Sequence, residues 1–210
     1  MRIVPSLWMA GLLAVCANSS ADTQTPVASE HAVLPAGPPP GGSIYNLKIP
    51  LQTSRGESIT LDSFRGRPLL VTMFYSHCTS VCPLTTLALQ RIESALPPAE
   101  RARLQILMVS LDPEHETAAT LREFAEQHHL EDGRWTLASA KPGDVRLLAA
   151  ALGIRYRAIP DGTINHSAVI SMLDSEGTVL ASAASVTAPD SGFQELVERT
   201  VAKSIAAGAH

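Results

Sequence analysis

Apolar and polar residues alternate along the chain in a pattern that predicts strands and helices in turn. Two nearly continuous apolar runs, Leu69–Tyr75 and Leu104–Leu111, have the length and composition of buried central strands. After the first run, apolar residues recur at helical spacing from Leu84 to Leu96, where two prolines end the helix. A second helical stripe follows the second run, with Asp112 as its predicted N-cap.

Shorter segments complete the pattern. Tyr45–Ile49 and Ser58–Leu61 predict a hairpin before the central strands, and Trp135–Ala138 predicts a short strand after them. Ala168–Leu173 and Thr178–Ala183 predict a second hairpin, with a helical stripe on either side of it. The resulting order, β-α-β-α-β-α-β-β-α after an initial hairpin, predicts an α/β protein with a thioredoxin-like fold, an N-terminal β-hairpin and insertions.

The N-terminal segment lacks this periodicity and has the features of an export signal. Residues 1–21 begin with a positive charge at Arg2, continue as an apolar stretch and end in a small-x-small sequence at Ala21. The stretch is shorter than a membrane-spanning helix requires. A lipoprotein signal, in which Cys16 carries the lipid, and an uncleaved membrane anchor are the alternative interpretations.

A linker is expected between this signal and the folded domain. Residues 22–43 are rich in proline and glycine, which predicts an extended and solvated segment. The folded domain then occupies residues 44–210. Each interpretation of the signal places this domain outside the cytoplasm, either in a periplasm or tethered to the outer face of the inner membrane. Any contact with a membrane is expected only through the N-terminal anchor or lipid.

Composition narrows the function classes. The chain has 210 residues, of which 45% are hydrophobic and 17% charged, so a core of ordinary size can form without disulfides or metal. The formal net charge is −4. Because Lys and Arg form no cluster, the sequence does not favour a nucleic-acid-binding protein.

Two of the three cysteines, Cys78 and Cys82, follow the first central strand at the start of a helix. Residues four apart on a helix share a face, so both sulfurs can point at one spot, and the spacing also allows a Cys78–Cys82 disulfide. A helix N-terminus favours the thiolate form. A disulfide across so few residues stabilises a fold little, which favours a functional pair over a structural one.

A histidine far along the chain is a candidate third ligand. His166 lies at the start of the second hairpin, and in a thioredoxin-like fold this position lies beside the cysteine loop. Two thiolates and one imidazole suit copper in either oxidation state. Spacing alone leaves His166 open between a ligand and an ordinary histidine of the surface or core.

Three segments carry a resemblance to a known family. Phe74–Pro83 (FYSHCTSVCP), Ser110–Glu114 (SLDPE) and Asn165–Ser167 (NHS) resemble, in the same order, motifs of the Sco/SenC/PrrC family. Members of that family are thioredoxin-like copper chaperones for cytochrome c oxidase. This chain has Thr79 where they commonly have proline and Asn165 where they often have an acidic residue, and neither departure removes a ligand.

The resemblance implies a copper site and a partner. Copper, as Cu(I), Cu(II) or both, is expected to bind Cys78, Cys82 and His166, and the partner is expected to be cytochrome c oxidase subunit II or another copper-site protein. The resemblance also points to Asp112 as a residue that supports the ligands or faces the partner, although a helix cap explains Asp112 equally well.

Several functions are compatible with these residues. The first is a metallochaperone that delivers copper to the oxidase and matures its CuA site. The second is a thiol-disulfide reductase that keeps the cysteines of the oxidase subunit reduced, and the third is a redox or copper sensor. Thr79–Pro83 also matches the T-x-x-C pattern of peroxiredoxins, but Tyr75 stands near where that family has a proline.

Overall fold

The computed structural model describes residues 40–78, 81–130, 133–160, 162–184 and 191–207. The predicted export signal, Cys16 and most of the predicted linker lie outside these residues. None of the helices that the structure describes is long and apolar enough to cross a membrane.

Seven strands form one mixed sheet in the order β2-β1-β5-β4-β3-β8-β9. The strands β3, β4 and β5 are parallel to one another, and the outer strands pair antiparallel. A separate antiparallel ribbon contains β6 and β7. The bounds are β1 Pro50–Thr53, β2 Ser58–Thr60, β3 Leu69–Phe74, β4 Gln105–Ser110, β5 Trp135–Ser139, β6 Tyr156–Ala158, β7 Ile164–His166, β8 Ile170–Leu173 and β9 Val179–Ala183.

The described residues include five α-helices, and their bounds are α1 Val81–Ala95, α2 Pro98–Arg101, α3 Ala118–Gln127, α4 Pro142–Ala151 and α5 Ser191–Ala207. All six residues of β3 are buried, as a central parallel strand requires. The predicted α/β, thioredoxin-like element order is confirmed. Between α4 and the second hairpin the structure adds the ribbon β6–β7, which the sequence pattern did not predict.

The first predicted strand was wrong in its position. Residues Ile44–Leu47 form a 3₁₀ helix, because the Ser43 hydroxyl accepts a hydrogen bond from a backbone N–H of its first turn. Lys48 then adopts a left-handed conformation with φ of 48°, which ends the helix. The first strand therefore starts at Pro50 and pairs with β2, so the predicted hairpin is present with a later start.

The predicted helix cap at Asp112 was also wrong. The helix α3 begins at Ala118, and Thr117 is its N-cap. Thr117 and Thr120 form a capping box, in which each side chain accepts a hydrogen bond from the backbone N–H of the other residue. This reciprocal pair satisfies two backbone N–H groups at the start of α3, before any intrahelical carbonyl can accept from them.

The pairing of β3 with β8 determines which two segments of the chain lie side by side at this end of the two strands. The two strands run antiparallel, so the end of β3 lies beside the start of β8. The Thr72 hydroxyl donates a 2.7 Å hydrogen bond to the Val169 carbonyl across this junction. As a result, the loop after β3 and the segment just before β8 lie next to each other.

Candidate metal centre

The cysteine loop begins where β3 ends. The Cys78 N–H donates to the Tyr75 carbonyl at 3.2 Å, which turns the chain before the helix starts. Cys82 lies in the first turn of α1, and its backbone N–H donates to the Cys78 sulfur at 3.4 Å. Both cysteines are buried. The predicted convergence of the two sulfurs is therefore present, although Cys78 precedes the helix.

The orientation of the His166 ring is fixed by its neighbour. Its Nδ1 lies 3.3 Å from the Ser167 carbonyl oxygen, which can only accept a hydrogen bond, so Nδ1 carries the proton. In the neutral ring Nε2 then has its lone pair free, and it lies 3.7 Å from the Cys82 sulfur. The Cys82 thiol can donate to this lone pair. A metal ion that displaces the thiol proton would find a thiolate and an imidazole already facing each other.

The three predicted ligands meet at one place. Ligand atoms of Cys78, Cys82 and His166 all lie within 4.8 Å of one another, and no second group of this kind occurs among the described residues. Two soft sulfurs and one imidazole nitrogen form a donor set suited to copper. The geometry thus fits the metal that the sequence predicted.

Burial changes the acid–base behaviour of these groups. Burial raises the pKa of the Cys82 thiol well above its ordinary value, and the hydrogen bond with Cys78 adds to the effect. Burial lowers the pKa of His166, while the hydrogen bond to Ser167 acts in the opposite direction. The expectation that the helix N-terminus keeps Cys82 as a thiolate is not met in the metal-free site. The structure has no disulfide between the two cysteines, and the Cys78–Cys82 disulfide stays a prediction.

A comparison with protein families decides the classification. The family model described as SCO1/SenC matches residues 44–201, which is most of the chain. The chain belongs to the SCO1/SenC family. This confirms the resemblance that the three sequence segments indicated.

Individual relatives of this SCO1/SenC protein are distant. The SCO1 protein homolog of Bacillus subtilis is 27% identical over 84 residues, which are 40% of this chain and 43% of that protein. The match thus spans less than half of that relative. Bradyrhizobium japonicum ScoI, solved with copper bound, shares 21% identity with a TM-score of 0.60, covering 72% of this chain and 96% of that one. A SCO1/SenC family lipoprotein from Bacillus anthracis shares 15% identity with a TM-score of 0.65, covering 72% and 91%.

Tyr75 is a site residue that the sequence analysis did not assign to the site. Its hydroxyl donates to the Cys78 sulfur and accepts from the Ile164 N–H, and burial with the Cys78 bond raises its pKa. Its ring contacts the His166 ring edge-on, with 5.9 Å between centroids. Tyr75 therefore joins the cysteine loop to β7. Its position inside the Phe74–Pro83 motif is the signal that could have revealed it.

Glu116 supports the cysteine loop from the opposite side. The side chain is buried, and one carboxylate oxygen accepts a 2.6 Å hydrogen bond from the Ser76 N–H. The other oxygen accepts from the Thr120 hydroxyl at 3.4 Å. A buried carboxylate with a backbone N–H as partner holds the loop two residues before Cys78 in place. Glu116 lies just beyond the Ser110–Glu114 segment, where sequence reasoning had considered only Asp112.

The contacts of Asp112 are local, and they differ from those that a helix cap or a residue supporting the ligands would make. Its carboxylate oxygens lie 2.8 and 2.9 Å from His115 Nδ1, and this hydrogen bond raises the pKa of His115. The Asp112 backbone N–H donates to the Ser110 hydroxyl at 2.9 Å. These contacts form a local turn after β4. A supporting or partner-facing role for Asp112 stays a prediction.

Proposed function

We propose that this SCO1/SenC protein is a copper metallochaperone. It holds one copper ion with Cys78, Cys82 and His166 and delivers it to a copper-site protein, for which cytochrome c oxidase subunit II with its CuA site is the candidate. The single observation that carries the proposal is the convergence of two sulfurs and an Nε2 lone pair within 4.8 Å.

A delivery role fits this ligand set better than permanent storage. Three protein ligands leave a coordination position through which a partner's ligand can approach, whereas closed structural sites supply all their ligands themselves. His166 is partly exposed, so the ion would be reachable from solvent on the imidazole side. The copper-bound ScoI of Bradyrhizobium japonicum supports the choice of metal for the proposal.

The thiol-disulfide reductase alternative is less well supported. Thiol exchange needs a thiolate nucleophile, and burial of Cys82 raises its pKa, which lowers the thiolate fraction. Copper binding does not require a thiolate beforehand, because the ion displaces the thiol proton as it binds. Exchange also gives no function to His166, so the convergence of His166 with the two cysteines favours copper binding over exchange.

We also propose that the protein acts outside the cytoplasm. The export-signal pattern of residues 1–21 supports this location, with lipidated Cys16 or an uncleaved anchor as the tethered forms. The lipoprotein from Bacillus anthracis has the same fold and is consistent with a tethered form. Intact-mass measurement of the chain isolated from its source cells tests this proposal, and an unprocessed cytoplasmic product would contradict it.

The central test compares copper binding with thiol exchange. The reduced chain is titrated anaerobically with copper beside the disulfide form, and His166→Ala is measured beside His115→Ala, which removes an exposed histidine outside the site. We expect one copper per reduced chain, loss of tight binding on oxidation, and a weakened Cu(II) site in His166→Ala with residual Cu(I) binding.

A thiol-exchange assay on the same variants gives the result that would favour the reductase. On the same samples, His166→Ala should reduce a target disulfide nearly as fast as the unchanged chain, because exchange uses only the cysteines. A Cu(II) spectrum that is the same in His166→Ala and in the unchanged chain, together with a damaged exchange rate, would support the reductase instead.

A further inference from the structure

The ribbon β6–β7 carries a basic outer face next to the metal centre. Tyr156 pairs directly with His166, and Arg157 pairs with Asn165. Side chains alternate along a strand, so Arg155 and Arg157 share one face of the ribbon with Asn165, the residue that pairs with Arg157. Both arginines are exposed, and they line one groove together with Asn165 and His166. Two exposed arginines thus line a groove that reaches a residue of the proposed copper site.

Neither arginine has an acidic partner among the residues that the structure describes. Among the ion pairs between described residues, none includes Arg155 or Arg157. The chain as a whole has a net charge of −4, so a pair of cations here has the opposite sign to the molecule. Such a local field attracts acidic groups and raises their rate of encounter with this edge.

An apolar cleft lies on the other side of His166. The cleft has a volume of about 360 Å³, and Val81 and Ile159 line it together with Cys78 and His166. From Val81 the apolar surface continues along α1 at three-residue intervals to Leu84 and Leu87, which are 43% and 41% exposed. Both leucines belong to the apolar stripe from which the sequence pattern predicted this helix, and the structure leaves them on the surface.

We propose that Val81, Leu84 and Ile159, together with Arg155 and Arg157, form a docking face for the protein that exchanges copper with this chain. The partner presents an apolar contact with acidic side chains at its rim, beside its own copper ligands. This inference rests on the proposed chaperone function and names the chemistry of the partner. Because the arginines are positively charged and lie beside His166, the surface of the partner that contacts them is expected to be acidic.

The arrangement explains how transfer can occur at this place. Interfaces combine an apolar centre with a charged rim that sets orientation and encounter rate. Because His166 lines both the cleft and the groove of the arginines, a protein on the docking face is brought to the ligands. Copper then moves by ligand exchange without a change of oxidation state: a partner thiol loses its proton and binds the ion, while a cysteine of this chain releases the ion and takes up a proton.

The test removes the charges without touching the site. The full chain carrying Arg155→Gln and Arg157→Gln is compared with a control carrying Arg91→Gln and Arg146→Gln, two exposed arginines elsewhere that change the net charge equally. Copper stoichiometry and the Cu(II) spectrum are measured first. Copper transfer to the reduced, metal-free CuA domain of an oxidase subunit II is then followed at low and high ionic strength.

We expect both variants to bind copper as the unchanged chain does. At low ionic strength the Arg155/Arg157 variant should transfer copper roughly fivefold to tenfold more slowly, and its rate should depend less on salt, while the control stays near the unchanged rate. Leu84→Ser should slow transfer at both salt concentrations without altering copper binding, because it removes apolar contact.

Three results would overturn the inference in distinguishable ways. If both arginine variants transfer copper at the same rate and with the same salt dependence, the docking face is refuted and the chaperone function is not. If the unchanged chain binds copper but transfers none, both the chaperone function and the docking face are refuted. Binding to vesicles of anionic phospholipid that is lost only in the Arg155/Arg157 variant, with transfer unaffected, would assign the arginines to a membrane surface.

Discussion

Replacing Glu116 is expected to loosen the cysteine loop by an amount that the structure allows us to estimate. The Glu116 carboxylate is only 6% exposed and accepts the 2.6 Å hydrogen bond from the Ser76 N–H. Hydrogen bonds to charged groups contribute about 1.5–3 kcal/mol, and an unpaired buried N–H costs about 1–3 kcal/mol. In Glu116→Ala the acceptor is lost and a partly buried N–H loses its partner, so we expect the free energy of unfolding to fall by about 3 kcal/mol.

The Glu116→Gln variant separates charge from hydrogen bonding. An amide oxygen can still accept from Ser76, so we expect a loss of only about 1 kcal/mol. Glu123→Ala is the matched control, because this glutamate lies nearby on α3 but is exposed. Equilibrium unfolding of the reduced, metal-free chain in urea measures all three variants.

A second measurement connects the loop to the site. If Glu116 positions the loop that carries Cys78, Glu116→Ala should also broaden the Cu(II) charge-transfer band and weaken copper binding, whereas Glu116→Gln should retain most of both. A loss in Glu116→Ala no larger than in Glu123→Ala would refute the reasoning. An unchanged copper site despite a 3 kcal/mol loss would show that Glu116 stabilises the fold without positioning the ligand.

Two further predictions follow from the site. Tyr75→Phe removes the hydroxyl that donates to the Cys78 sulfur, so the sulfur becomes more electron-rich and the sulfur-to-Cu(II) absorption band should move to longer wavelength, with Tyr156→Phe as a control that leaves the band in place. Burial lowers the pKa of both His166 and His128 below 6.5, so the unfolded chain binds more protons than the folded chain as the pH falls below 6.5, and stability should decrease there. Urea midpoints between pH 8 and pH 5 measure this, and a variant with both histidines changed to Gln that keeps the full slope would contradict it.

Local patterns predicted most of the elements and the three side chains that the structure brings together. Cys78 and Cys82 lie in one short motif, and the thioredoxin-like order of strands indicated where His166 would come to lie. The start of the first strand was misplaced because alternation in Tyr45–Ile49 resembles a strand, while the Ser43 cap and the left-handed Lys48 favour a 3₁₀ turn.

The supporting contacts could not be derived in the same way. Glu116 contacts Ser76 across 40 positions of sequence, and Arg157 comes to lie near His166 only because the β6–β7 ribbon forms, which the apolar pattern did not predict. The cap at Asp112 was predicted wrongly for another reason, because the nearby Thr117–Thr120 box is a competing local signal and decides where α3 begins. Contacts between distant segments depend on the assembled fold, whereas caps and strands are encoded locally.

The separation of the ligands along the chain has a consequence for chain entropy. Cys82 and His166 are 84 positions apart, and His166 belongs to a ribbon whose ladder hydrogen bonds stay within its own two strands. An ion bound by both residues would be a cross-link that closes a long loop of the unfolded chain, where such a closure reduces conformational freedom. The folded chain already holds the two residues side by side, so this cost would fall on the unfolded state alone. Bound copper would therefore resist unfolding, and a chain that had released its ion would unfold more easily than a loaded one.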